Sequence, residues 1–559
     1  MNRYGIQHIV DSSYCFPVSE NEIVIRLRTV KNDLKRVRII YESKYVFGET
    51  QKKKDMERIC QTELYDYYQV KLTLTDTRLA YIFQVSDDEK SYYFSEDGVT
   101  ESYNYKLGYY NFFQFPYINK NDIMENINWM HYAVFYQIFV DRFYMGNPNK
   151  DTTYINCQWG EQPRQHSYAG GDLRGITLKL DYLKSLGITA IYLTPVFTSI
   201  SNHKYDISDY WKIDSQFGTN EDLKTLVTQA HDRGMKIVLD AVFNHCSEQL
   251  KEFQDVIHNG KKSPYYDWFI IYGERPNKSL KNYEMFATCE YMPKFNTSNI
   301  EVQDYLIRIG TYYLREYDID GWRLDVSDEV SHDFWKRFRK AIKSCKSDAV
   351  IIGENWHDAS NYLRGDEYDS IMNYAFTKCC QDYFATEIKD ASHAAWQLNA
   401  ILMRNTDTVN QMMLNLLDSH DTCRFYTEVG ENREKMKAAL CLLFLFPGAP
   451  CIFYGTEILI AGGYDPDCRK CMDWSKVSEE DYQDIVEIIH TMAKLRKRYD
   501  LSEARTNIYS VDQILAVELD TEDVKIQLYI NNTDSAGKIG DIKIAGRSHS
   551  VFMNGGLIL

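Results

Sequence analysis

Between about residue 130 and residue 500, short apolar stretches alternate with longer amphipathic ones, and that alternation constrains the fold more than anything else in the chain. Apolar segments at 134–143, 190–197, 236–243, 321–326, 349–354, 369–374, 412–420 and 451–455 read as strands, each followed by a helix-length stretch. Repeated β/α units imply a parallel sheet, and eight of them predict a closed (β/α)8 TIM barrel. The gap between the third and fourth strands is longer than one helix needs, so an inserted subdomain is expected over about 246–299. Residues 1–120 instead alternate apolar and polar at period two, as in Glu22-Ile-Val-Ile-Arg-Leu-Arg and Leu79-Ala-Tyr-Ile-Phe-Gln-Val, which predicts a β-sandwich ahead of the barrel at 121–500. The same pattern returns in Ile514-Leu-Ala-Val-Glu-Leu and Val524-Lys-Ile-Gln-Leu-Tyr-Ile, so 501–559 is expected to be a small C-terminal β domain.

A chain of 559 residues is too long for one core and should form two to four domains. Its formal net charge of −16, without a lysine or arginine run, repels nucleic acid and anionic lipid and leaves a neutral ligand as the natural partner. The first residues hold no secretory apolar core, and no stretch reaches the roughly 18 apolar residues of a membrane span, so a soluble, cytoplasmic protein is expected. The 13 cysteines are an odd, scattered set, read as reduced thiols; Cys468 and Cys471 have C-x-x-C spacing but sit in a loop and are taken as incidental.

Barrel enzymes carry their chemistry at the C-terminal strand ends. Four strands end in polar groups here: Asp240-Ala-Val-Phe-Asn-His245, Gly321-Trp-Arg-Leu-Asp-Val326, Ile352-Gly-Glu-Asn-Trp-His357 and Leu417-Asp-Ser-His-Asp-Thr422. Each alone reads as readily as a helix cap or an ion pair; together they point to a site. Arg323 and Asp325 are two apart and share a strand face, so the guanidinium should lower the Asp325 pKa and keep an ionised nucleophile. Glu354 follows an apolar strand beside Trp356, and apolar surroundings would raise its pKa and suit an acid/base. Two carboxylates on adjacent strands can lie about 5–5.5 Å apart, the separation of retaining glycosidases. Asp421 behind His420 is placed to hold sugar hydroxyls and favour a positively charged transition state. Asn244 and His245 suit similar work, although a lone histidine more often only packs. Asp240 reads as an organiser of the site.

With those segments quoted, the sequence closely resembles the α-amylase family of glycoside hydrolases. Met292-Pro-Lys-Phe-Asn296, Asp318-Ile-Asp-Gly-Trp-Arg-Leu-Asp325, Ser201-Asn-His-Lys-Tyr-Asp206, Gly170-Gly-Asp-Leu-Arg-Gly175 and Gly462-Gly-Tyr-Asp-Pro-Asp-Cys-Arg469 resemble the neopullulanase, cyclomaltodextrinase and maltogenic amylase group. Departures are Phe295, where the group usually has leucine, and Asn355, where an apolar residue is common. The resemblance implies Asp325 as nucleophile, Glu354 as acid/base and Asp421 as third carboxylate. It also implies Tyr205 beneath the reacting sugar, His203 lining the cleft, Arg323, His245 and His420 on hydroxyls, Trp356 on the acceptor side, and Asp465 with Arg469 on the non-reducing side. The substrates would be cyclodextrins, pullulan and short maltodextrins, cleaved at α-1,4 bonds, with α-1,6 cleavage and transglycosylation open. A homodimer whose N-terminal domains cover the partner's barrel mouth is implied as well. No organic cofactor is expected. Relatives often hold a structural calcium ion, for which Asn147, Asn149, Asp151, the Gly170 carbonyl and Asp172 offer oxygens; a polar surface loop is the equal alternative, and Met145 stands at a further ligand position. Competing readings are an oligo-1,6-glucosidase or glucan transferase of the same clan, and a non-catalytic amylase-like subunit, which should lack one of the three carboxylates.

Overall fold

In the computed structural model, which describes residues 1–559, seven of the eight apolar segments contain a strand, and the eighth, 451–455, overlaps one that begins two residues earlier. The strands are β1 (Phe135–Ile138), β2 (Ala190–Leu193), β3 (Lys236–Ala241), β4 (Gly321–Leu324), β5 (Val350–Gly353), β6 (Ser370–Ile371), β7 (Leu414–Leu416) and β8 (Ala449–Phe453). Hydrogen-bonded neighbours run β6-β5-β4-β3-β2-β1-β8-β7, all parallel. A parallel bridge from Met372 to Leu414 joins the two ends and closes the barrel. Most strands are shorter than their apolar segments because pairing stops where the polar strand ends turn into the cleft. Along β4, Trp322 faces the outer helices, its indole donating to the Gly310 carbonyl at 3.2 Å, while Arg323 faces the barrel interior.

The expected insert is present after β3. It contains a helix at Lys251–Asn259 and several single turns before the long helix Ile300–Tyr317, which Asn299 caps by accepting from the Glu301 amide. Met292–Asn296 is sewn to the end of β3. The Cys246 amide donates to the Pro293 carbonyl at 3.1 Å, and the Phe295 amide to the Asn244 carbonyl at 2.9 Å.

Contacts divide the chain into two units; the barrel occupies Ile127–Glu387 and Gln411–Ala504. The other unit holds Met1–Asn126, Ile388–Asn410 and Arg505–Ile558. Its N-terminal part is a sandwich of a four-stranded and a six-stranded antiparallel sheet. Alternate residues Ile23, Ile25 and Leu27 meet Val37, Ile39, Tyr81 and Phe83 in its core, as the period-two pattern requires. The C-terminal residues form a five-stranded sheet from Arg505 onward. Residues 388–410, expected inside the barrel span 121–500, lie in this unit instead. The reason is visible on helix Ala391–Arg404, where the buried Asn399 amide donates at 2.9 Å to both the Gln61 and the Ile508 carbonyls. No helix of the protein is long and apolar enough to cross a membrane, and all 13 cysteines are free.

Candidate active site

The C-terminal ends of β3, β4 and β5 converge on one guanidinium. Arg323 is 1 % exposed and its Nη1 lies 3.1 Å from both Asp240 oxygens and 2.8 Å from Asp325 Oδ1. Its Nη2 forms an ion pair with Glu354 Oε2 at 2.9 Å. Three nearly buried carboxylates therefore share one permanent cation. Glu354 Oε2 also accepts from the Val326 amide at 2.9 Å, and Oε1 faces Trp356 Nε1 at 3.2 Å. The Glu354 carboxylate thus meets polar donors, not the apolar surroundings inferred from the residues before it in sequence.

Asp325 departs from the sequence expectation. Arg323 does pull its pKa down, but burial outweighs the guanidinium, and Glu354, Asp240 and Asp421 add like charge, so the carboxyl stands well above the usual aspartate range. Adjacency on a strand reveals the neighbouring cation but not the burial or the three other carboxylates. Burial also raises Asp240 to about 6, against the opposing pull of Arg323 and the Tyr192 hydroxyl.

A second layer fixes the cleft wall. Tyr192 and Tyr205 hydroxyls donate to Asp240 Oδ2 at 2.7 and 3.0 Å. The Tyr205 ring lies parallel to His420, 2° apart in plane, with its hydroxyl 2.5 Å from His420 Nε2. Gln137 Nε2 meets His420 Nδ1 at 2.7 Å, which assigns the ring proton to Nε2, facing Asp421 Oδ2 at 3.2 Å. Burial, aided by Arg469 and Arg323, drives the His420 pKa well below its usual value, so the ring is neutral. His203 stacks on Tyr205, and burial lowers it to about 3. His245 lies flat against Phe286, with Nε2 4.0 Å from Asp325 Oδ2 and without a hydrogen bond. Burial lowers it to about 3 as well.

Asn244 is buried and takes the Lys294 ammonium on its side-chain oxygen; that ammonium also bonds Glu329 Oε2 at 3.1 Å. Arg469 joins Asp421 Oδ1 at 3.4 Å to Asp465 Oδ1 at 2.9 Å. Trp356, 46 % exposed, stacks 3.8 Å above Tyr374 and presents its other face to solvent. All thirteen catalytic and binding candidates thus surround one cleft. Sequence reading missed Gln137, Tyr192, Lys294 and Tyr374. Gln137 left a signal, being the one polar residue within the apolar β1.

The calcium candidates do not gather as a metal shell. Asp172 caps helix Leu173–Leu178, its Oδ1 accepting from the Gly175 amide at 2.7 Å and the Gly146 amide at 3.0 Å. Asn147 Oδ1 accepts from the Asn149 amide at 3.1 Å, and Asp151 Oδ1 from Thr153 at 2.9 and 2.7 Å. The Gly170 carbonyl accepts from the Lys150 ammonium at 2.6 Å. An ammonium already stands among these oxygens, so the residues do not fit a calcium ion as arranged.

A closed β/α barrel with two carboxylates bridged at adjacent strand ends, and a third across the cleft, is the framework of a glycoside hydrolase. The model of the α-amylase catalytic domain matches residues 137–516, and that of the α-amylase N-terminal Ig-like domain matches 1–119. A cyclomaltodextrinase of Thermoanaerobacter pseudethanolicus is 41 % identical over 538 residues, covering 95 % of this chain and 93 % of that protein. The intracellular maltogenic amylase of Bacillus subtilis is 43 % identical over 507 residues, 89 % of this chain and 85 % of that protein. A solved cyclomaltodextrinase superposes with a TM-score of 0.91 at 34 % identity, covering 96 % of this chain and 92 % of the other. The chain belongs to the α-amylase family of glycoside hydrolases.

Proposed function

We propose that the protein is a retaining, endo-acting α-glucan hydrolase that opens cyclodextrins and cleaves pullulan and short maltodextrins at α-1,4 bonds. The observation that carries this reading is the single Arg323 guanidinium holding Asp325 on one nitrogen and Glu354 on the other. A bridge of that kind suits the short ~5–5.5 Å carboxylate spacing of retention rather than the ~6.5–9.5 Å of inversion.

Asp325 Oδ1 is held by Arg323, which leaves Oδ2 to attack the anomeric carbon. As that C–O bond forms, the glycosidic C–O bond breaks and Glu354 gives its proton to the departing oxygen. Glu354 then takes a proton from water, whose oxygen attacks the same carbon and releases Asp325. Its short tethers to the Val326 amide and Trp356 keep Glu354 beside the leaving oxygen through both steps. His245 Nε2, without a partner beside Asp325, is a hydroxyl donor for the reacting sugar, and His420, whose Nε2 meets the Tyr205 hydroxyl beside Asp421, holds the wall against which that sugar packs. Both are neutral at working pH, so neither adds positive charge next to an oxocarbenium-like transition state. Trp356 offers the apolar acceptor surface, and Asp465 with Arg469 the non-reducing side. An acceptor sugar in place of water gives transglycosylation by the same step.

The names of the relatives support small and cyclic substrates, and a homodimer whose N-terminal domains narrow the partner's cleft would favour them by excluding long chains. The relative named intracellular supports a cytoplasmic setting. Initial rates on β-cyclodextrin, pullulan and starch test the reading. The expected order is cyclodextrin above pullulan and both above starch; a monomer that degrades starch fastest would overturn the narrowed cleft in favour of an open one.

A further inference from the structure

Lys150 lies between Asn149 and Asp151 in the loop after β1, and its side chain is only 6 % exposed. An ammonium has three hydrogens to donate. Three acceptors meet them: the Gly170 carbonyl at 2.6 Å, the Gln216 carbonyl at 2.9 Å and Asp172 Oδ2 at 3.1 Å, with the Gly171 carbonyl at 3.5 Å behind. The Tyr154 ring stands 5.8 Å from the nitrogen, and its hydroxyl donates to the same Gln216 carbonyl at 3.2 Å. One buried carboxylate and a set of carbonyls balance one positive charge. Calcium asks for six to eight oxygens, commonly with several carboxylates. Of the other carboxylates nearby, Asp151 is exposed and turned to Thr153, and buried Asp141 is already paired with Arg142 and the Ala169 and Gly170 amides. A divalent ion placed beside the ammonium would be repelled as well.

We propose that Lys150 is a built-in cation that takes the place of a metal ion in this loop, so that the protein is held together here without calcium. The structure also gives the ammonium a line to the cleft. The Gly170 and Ala169 amides donate to Asp141 at 3.0 and 2.9 Å, and Asp141 pairs with Arg142 Nε at 2.6 Å. Arg142 in turn donates to the Ser167 carbonyl at 2.6 Å and the Arg469 carbonyl at 2.9 Å. Lys150 is thus a positioning residue for Arg469, whose guanidinium joins Asp421 and Asp465.

The test uses the full-length protein in calcium chloride alone or EDTA alone, read by melting temperature and by calorimetric titration of calcium. Wild type is expected to melt at the same temperature in both and to give no binding heat. Lys150→Asn removes the ammonium and adds an oxygen; it should melt lower in EDTA and recover by about 3 °C or more in saturating calcium. Lys150→Met should melt lower in both solutions and show a raised KM with a smaller change in kcat, since Arg469 binds rather than reacts. A wild type that loses stability in EDTA and regains it with calcium overturns the proposal. So does a Lys150→Met protein with wild-type melting and KM, or a folded Lys150→Asn that calcium leaves unmoved. The wild-type arm stands even if neither variant folds.

Discussion

Replacing Arg323 with methionine removes the one cation that Asp240, Asp325 and Glu354 share, at nearly constant length and without opening a large cavity. All three carboxylates have side chains at most 8 % exposed, so water cannot take over the role of the guanidinium. Removing one partner from a buried ionic cluster costs about 3–5 kcal/mol. That is a large share of the roughly 5–15 kcal/mol that holds a typical domain folded. The sign of the pH dependence follows from the raised carboxyls. Asp240, at about 6, and Asp325 bind protons more tightly folded than unfolded, so each contributes most stability below the ordinary aspartate pKa and loses it as pH rises through its folded value. Arg323 pulls both values down, so its removal lifts them further and the deficit of the variant grows with pH. Urea unfolding followed by tryptophan fluorescence, at pH 5.5 and pH 7.5, measures this deficit. Arg323→Met should unfold at lower urea at pH 7.5, lie closer to wild type at pH 5.5, and lose at least about a hundredfold in kcat. Arg323→Lys should recover only part, because a point charge cannot face three carboxylates as a planar fork does. An unchanged midpoint at pH 7.5, or a larger deficit at pH 5.5, would refute the shared-cation account.

Two further perturbations separate stability from chemistry. Asp325→Asn takes away a carboxylate that burial disfavours, so at neutral pH it should raise the melting temperature while lowering kcat by several orders of magnitude; a lower melting temperature, or more than about a tenth of wild-type kcat, a barrier change of only ~1.4 kcal/mol, would contradict it. Gln137→Leu leaves His420 Nδ1 buried without its 2.7 Å partner and should cost about 1–3 kcal/mol in unfolding and reduce kcat/KM by loosening the imidazole tautomer; an unchanged kcat/KM would remove Gln137 from the site.

The architecture was legible because two periodicities carry it. Period two marks the sandwich at Ile23, Ile25 and Leu27, and the alternation of apolar strand with helix marks the barrel from β1 to β8. The candidate site was legible because its polar residues end those strands: Arg323 and Asp325 sit two apart, and Glu354 follows β5. What the sequence hid depends on groups far away in the chain. Asn399 makes the helix at 391–404 part of another unit through hydrogen bonds to Gln61 and Ile508, which no local pattern announces. The high Asp325 pKa comes from burial and from Glu354, Asp240 and Asp421, whereas the strand itself displays only the neighbouring arginine. Asn147, Asn149 and Asp151 look like oxygen ligands in a row; the residue that decides the loop is Lys150 between them, whose aliphatic stem reaches back to Gly170 and Asp172.

The central claim is that Asp325 attacks the sugar and Glu354 moves the proton. It is tested most directly by trapping the glycosyl-enzyme. In Glu354→Gln, an activated α-glucosyl or α-maltosyl fluoride needs no acid for its departure, whereas release of the bound sugar lacks its base, so the adduct should accumulate. Peptide mass spectrometry after rapid acid quenching is predicted to find one glycosyl group on the peptide that contains Asp325, with none in Asp325→Asn. A glycosyl group on another residue, or turnover of the fluoride with inversion and no adduct, would contradict the account.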